Sequence, residues 1–160
     1  MEETSFLTPK CTLVPAHFYL PASSRNLLGE VVILDENDVV KSVEVPQYES
    51  WLLYAVPDAS VEALPELWYI LRDLPGISEY NKILASWREG RLYLGISQGN
   101  GLLLANSFEA PDFTTAEYYI FLALKQLQLN PEVSSIYWRS PVSAEDEMSL
   151  YRYFKNVEQL

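Results

Sequence analysis

Between residues 83 and 108 three short strand-like runs are separated only by turn signals, which leaves few folds open. Ile83 to Trp87, Arg91 to Gln98 and Leu102 to Phe108 are the runs. In the middle one Leu92, Leu94 and Ile96 alternate with Arg91, Tyr93 and Ser97, the period-2 pattern of a half-buried strand. Gly90 stands where a short hairpin loop needs a positive φ, and Asn100-Gly101 is the commonest type I′ pair. The prediction is an antiparallel meander. A helix follows, opened by a Thr114/Glu117 capping box worth about 1 kcal/mol. It is apolar almost all round, runs to Leu129, stops at Asn130-Pro131, and is expected to lie largely buried across the sheet. Val133 to Trp138 reads as a further strand. Ser143 caps a last helix with Leu150, Tyr153, Phe154 and Val157 as its inner stripe.

Upstream the pattern is looser. Thr12 to Val14 is a short apolar run ended by Pro15, and Ser23 to Glu30 reads as a brief helix capped by Ser23 or Ser24. Val31 to Leu34 is apolar and β-branched, and Asp35-Glu36-Asn37-Asp38 is an exposed turn. Val39 to Val45 is a strand with Val39, Val43 and Val45 on one face, and Pro46-Gln47 is the turn after it. Trp51 to Val56 is continuously apolar, as in a strand buried on both faces. Leu64, Leu67, Trp68 and Leu71 form a helical stripe, with Pro65 in the first turn and Pro75-Gly76 as the stop. A chain of 160 residues suits one compact domain, here 1–160, of α/β (α+β) class with a mixed sheet.

The net charge of −11 narrows the function classes. A field of that sign repels phosphate backbones and anionic bilayers, so neither nucleic acid nor membrane is an expected partner. Cys11 is the sole cysteine, which excludes an internal disulfide and fits a reducing compartment. Met1-Glu2-Glu3-Thr4 lacks the basic and apolar regions of a secretory signal, and no apolar run reaches the roughly 20 residues of a spanning helix. A cytoplasmic location is the expectation.

Residue types that carry chemistry are sparse. His17 is the only histidine, and neither a G-x-S-x-G elbow nor an informative pairing with Cys11 accompanies it. One His and one Cys cannot make a zinc site without several carboxylates. Asp35-Glu36-Asp38 reads as a solvated loop, and Glu145-Asp146-Glu147 as an acidic first turn that complements a helix dipole. No Walker or dinucleotide fingerprint is present. Gly99-Asn100-Gly101 joins two strands, so no helix N-terminus points from it at a phosphate. Trp51, Trp68, Trp87 and Trp138 are expected in the core. No catalytic, cofactor-binding or metal-ligating residue, no cofactor and no small-molecule substrate is assigned.

Several segments have a family likeness. Leu102-Leu103-Leu104-Ala105-Asn106-Ser107-Phe108-Glu109, the Tyr118-Tyr119 helix and its exit Gln126-Leu127-Gln128-Leu129-Asn130-Pro131-Glu132 go together with Thr12-Leu13-Val14-Pro15 and Ala55-Val56-Pro57. From about Cys11 onward the chain resembles a bacterial family of uncharacterised proteins with an actin-like ATPase, ribonuclease H-like fold. The resemblance implies that 11–75 is a remnant of a first actin-like half and 76–160 a second half. The N-terminal strands and helix that would open the first half are missing from the pattern. It also implies an Asp and a Gly-bearing turn at the end of the first meander strand to hold Mg-phosphate. Here that stretch reads Ser86-Trp87-Arg88-Glu89-Gly90, and the three strands carry no carboxylate before Glu109. The expected function is therefore a non-enzymatic scaffold or protein-interaction module, a pseudo-ATPase, with a protein partner or a second copy as its partner. The alternative is a degenerate nucleotide-binding protein whose site a partner chain completes.

Overall fold

The computed structural model describes residues 5–160. They gather into two compact units, one running to Arg72 and the other Asp73–Leu160.

In the first unit β1 (Cys11–Pro15), β2 (Val39–Val45) and β3 (Ser50–Val56) form an antiparallel sheet in the order β1-β3-β2. The most apolar run takes the centre, and Leu52 to Val56 are all buried. Helix α1 (Ser24–Gly29) and the segment after it cover one face. Leu27, Leu28, Val32 and Leu34 pack with Val14, Leu53 and Ala55, and Tyr19 stacks on Trp51 with ring centres 4.6 Å apart. Val31 to Leu34 forms no ladder. Its residues alternate like a strand's, but Val31 and Ile33 stand in solvent while Val32 and Leu34 turn inward. Neither serine caps α1: Ser23 makes no side-chain bond there, and Ser24 Oγ donates back to the Pro21 carbonyl. Helix α2 (Glu66–Asp73) follows Pro65 and passes into a single 3-10 turn at Leu74–Gly76.

In the second unit β4 (Asn81–Arg88), β5 (Arg91–Gln98) and β6 (Gly101–Glu109) make the meander. Helix α3 (Phe113–Gln126), β7 (Ser135–Trp138), α4 (Ala144–Tyr151) and β8 (Asn156–Gln159) complete it. The sheet order is β6-β5-β4-β7-β8, with β7 parallel to both β4 and β8. Numbered within the unit, that is 3-2-1-4-5 with only the second strand reversed, the arrangement of a ribonuclease H-like half.

Five local expectations in this unit are corrected. Strand β5 is buried on both faces, since Tyr93 and Ser97 are as enclosed as Leu92 and Leu94. In the second hairpin Gln98 pairs with Gly101, so the loop is Gly99-Asn100. The positive φ of 57° falls on Gly99, at the first central position as in a type II′ turn. Asp112, not Thr114, caps α3: its Oδ1 accepts from Thr115 N at 2.7 Å, and Glu117 instead accepts from Ser149 Oγ at 3.0 Å. Helix α3 buries one face, through Phe113, Ala116, Ile120, Ala123 and Leu124, and leaves Tyr118 in solvent. The expected C-terminal stripe breaks after Tyr151. Val157 reaches the core from β8, where it pairs with Ile136, and Tyr153 is exposed. The pairing with β7 overrides helical spacing.

At the end of α3, Leu129 N bonds to Leu124 O and Gln128 N to Lys125 O, a Schellman motif with Gln128 at φ 59°. Glycine favours that position, so Gln128→Gly is expected to stabilise the protein by about 1 kcal/mol in urea unfolding. Gly99→Val should destabilise by about 1–2 kcal/mol, whereas Gly101→Val, at an ordinary φ, should change stability by less than about 0.5 kcal/mol. Equal losses at the two glycines would contradict this turn. Burial raises the Glu117 carboxyl above its ordinary value, with Asp146 adding to the rise and Ser149 opposing it. A raised carboxyl favours the fold below its ordinary pKa, and that contribution is lost as pH rises through the raised value. Glu117→Gln should therefore be more stable than the parent at pH 7, and the gain should vanish below about pH 4 in unfolding curves across that range.

Candidate functional site

In open sheets with parallel strands, ligands bind beyond the carboxyl ends where neighbouring strands send their connections in opposite directions. Here that place lies between β4 and β7. Strand β4 ends in Trp87-Arg88, and β7 is followed by Arg139-Ser140. Two bonds lock the pair beyond the ladder: Arg139 N donates to Ala85 O at 2.9 Å, and Trp87 N donates to the buried Ser140 Oγ at 2.9 Å. The Trp87 indole donates to Ala110 O at 2.8 Å, which fixes its ring edge-on to Phe113. On the far side Gln159 Nε2 reaches Trp138 O and Ser140 O.

A cavity of about 350 Å³ opens beside these groups, lined by Asp73, Gly76, Arg139 and Leu160. Arg139 Nη1 and Asp73 Oδ2 are 3.0 Å apart, and their side chains are only 12% and 20% exposed. A guanidinium held so closely by a carboxylate has its charge compensated within the protein. The arrangement can seat a neutral or dipolar group, but it offers little net attraction to a phosphate. The β4–β5 turn that follows the carboxyl end of β4 is Glu89-Gly90, with φ of 48° and 74°, the positive pair of a type I′ hairpin. Gly90 is thus where a positive φ is required.

The other residues weighed from the sequence belong to other elements of the fold. His17 is exposed in a 3-10 turn against the Phe18 ring. Cys11 stands opposite Tyr54 in the β1–β3 ladder, and burial pushes its thiol well above the ordinary value, away from the reactive thiolate. Gly99-Asn100-Gly101 is a hairpin turn and its first partner residue. Glu145, Asp146 and Glu147 occupy the first turn of α4, where Asp146 N donates to Ser143 Oγ at 3.1 Å. Trp138 is fully buried, while Trp51, Trp68 and Trp87 are half-buried.

The turn at 35–38 is not merely solvated. Lys10 Nζ reaches Asp35 Oδ2 at 3.1 Å and Asp38 Oδ2 at 2.6 Å, and Arg25 donates to the carbonyls of both aspartates. The Lys10 hydrogen bond, then that from Asp35 N, holds the Asp38 carboxyl below the usual carboxylate range. Among the described residues no group of three or more His, Cys, Asp or Glu is placed to hold a metal ion. No helix among them is long and apolar enough to cross a membrane.

Sequence reading missed Arg139, Ser140, Asp73 and Gln159. The available signal was a polar pair directly after the apolar run ending at Trp138. Its significance depends on β7 lying beside β4, a pairing across more than fifty residues.

The fold has a counterpart among solved structures. A protein of Bacteroides thetaiotaomicron, described as having an actin-like ATPase fold and unknown function, superposes with a TM-score of 0.79 at 19% identity, over 96% of this chain. This chain spans 66% of that protein's length. The likeness establishes an actin-like fold. No curated protein matches the chain. Residues 64–157, more than half of the sequence, match the family described as "Protein of unknown function (DUF3822)", and the chain belongs to that family.

Proposed function

We propose that this chain is a non-enzymatic protein-interaction module that keeps the actin-like fold without a phosphate and magnesium site. The observation that carries the reading is the internal use of polar groups at the carboxyl ends of β4 and β7. Arg139 is neutralised by Asp73, the Ser140 hydroxyl accepts from Trp87 N, and Trp87 occupies the strand end where an actin-like ATPase would carry a carboxylate. Phosphoryl chemistry depends on metal and cationic groups aimed at a developing negative charge. Cations already matched by carboxylates contribute little to that.

The test is a thermal unfolding series with ATP and magnesium in millimolar excess. A ligand at about 100 times its Kd adds about 2.7 kcal/mol, a rise of about 5–10 °C for a chain of this size. No shift is expected. A rise of that order would overturn the reading in favour of a degenerate nucleotide-binding protein whose site a partner chain completes. Asp73→Ala sharpens the test, because it removes the carboxylate that faces the Arg139 guanidinium. A nucleotide-dependent shift in that variant alone would identify the internal ion pair as what closes the site.

A further inference from the structure

Strand β6 is an edge of the five-stranded sheet with unusually little protection. Exposed edges invite pairing with another strand, and proteins discourage it with short length, Lys, Pro or inward charge. The other edges use such devices. Strand β8 has four residues, one of them Glu158; β1 ends in Pro15; β2 carries Lys41 and Glu44. Strand β6 has nine residues, Gly101-Leu102-Leu103-Leu104-Ala105-Asn106-Ser107-Phe108-Glu109, with no proline and no basic residue. Its single charge, Glu109, sits at the end opposite Arg91 of β5. The one blunting feature is a bulge: Ser97 pairs with Leu102 and Ile96 with Leu104, so Leu103 is extra and 40% exposed.

An apolar groove of about 190 Å³ runs between this edge strand and α3, lined by Leu104 and Phe108 on one side and Tyr119, Leu122, Gln126 and Leu127 on the other. Phe108 and Tyr119 stack at 4.9 Å within it, and Tyr118 stands beyond at 60% exposure.

We propose that β6 pairs antiparallel with β6 of a second copy of this chain, about a dyad near Ala105, to make one continuous ten-stranded sheet. The charge distribution selects a second copy. The chain carries 22 acidic residues against 11 basic ones, yet Glu109 is the only acid on β6 and the groove lining. With the dyad at Ala105, Leu102 faces Phe108, Leu104 faces Asn106 and Glu109 faces Gly101, so no like charges meet. A dyad normal to the sheet keeps both α3 helices on one face, flanking the seam with their Tyr118 and Leu122 rows turned towards each other. The pairing is isologous and closes on itself, which prevents growth into a filament. The patch covers about fifteen residues a side, short of the 20–30 of a standard interface, which places the dimer among weak or transient contacts. The acidic excess elsewhere opposes approach through water, and screening within roughly 8 Å at physiological ionic strength relieves it. The proposal goes beyond the function proposed above and does not depend on it, because nucleotide binding at β4 and β7 would leave the β6 edge as it is.

Sedimentation equilibrium of the full chain from micromolar to hundreds of micromolar, at low and high salt, tests it. Dimerisation that tightens with salt is expected. Leu103→Lys, which places a charge on the exposed bulge, should weaken it by about tenfold or more without lowering the melting temperature of the monomer. Ala105→Cys in a Cys11→Ser background should give a disulfide-linked dimer under mild oxidation, since facing residues near the dyad lie within the roughly 4.4–6.8 Å Cα range of a disulfide. A monomer at every concentration in both salts, with no cross-link at position 105, would overturn the proposal. So would a dimer that Leu103→Lys leaves intact and position 105 fails to cross-link, because the contact would then lie elsewhere.

Discussion

The second unit depends on the backbone of β4. One edge of this strand bonds along its whole length to antiparallel β5, and the other meets parallel β7 at Leu84 and Ala85. Its side chains Ile83 to Ser86 are all buried, so both faces are covered as well. A strand paired on both edges and covered on both faces tolerates no slip, since moving it by one residue would exchange its faces and break two ladders together. That rigidity fixes Trp87 and Arg88 at the sheet's end, sets Arg139 and Ser140 beside them, and aligns β8 through β7. The opposite neighbour, β5, carries the meander out to the open edge at β6. Both the polar end of the sheet and its apolar edge derive their positions from one strand.

The parts of this architecture that were legible in the sequence rest on short-range physics. Gly90 fixes the first hairpin because a two-residue loop has few solutions, and Ser143 caps α4 because its hydroxyl meets an amide three residues on. The expected strand Val39 to Val45 matches β2 residue for residue. The misreadings arose where two local answers were nearly equal. Asp112 and Thr114 both suit a cap, and the carboxylate at 112 takes it because Glu117 is engaged by Ser149 on another helix. Asn100-Gly101 and Gly99-Asn100 are both good turn pairs, and the bulge at Leu103 goes with the second register. Val157 satisfies a helical stripe and a strand equally well, and only β7 distinguishes them. The polar end of the sheet was illegible for a stronger reason: Asp73 and Arg139 lie 66 positions apart, and no local pattern joins them.

A fold by itself carries no chemistry, and function has to be argued from the residues placed on it. In this chain the polar groups beyond the carboxyl ends of β4 and β7 bond to one another. Ser140 supports Trp87, Gln159 ties the last strand to Trp138, and the ion pair lines the cavity. On the function proposed above, side chains that hold one another contribute little to holding a ligand. Ser140 braces β4 to the end of β7, Gln159 braces β8 to the same end, and Asp73 holds the Arg139 side chain.

The parallel pairing of β4 with β7 also orders events during folding. The meander closes through two-residue turns, whereas Trp87 meets Ser140 only when a loop of 53 positions has been brought round. Closing a flexible loop of that length costs about 3.5 kcal/mol in chain entropy, apart from a constant, and slow folding accompanies such distant contacts. Strands β4 to β6 can thus form early as a local platform. The last two strands add to it once α3, packed on that platform through Ile120 and Leu124, has shortened the distance left to search.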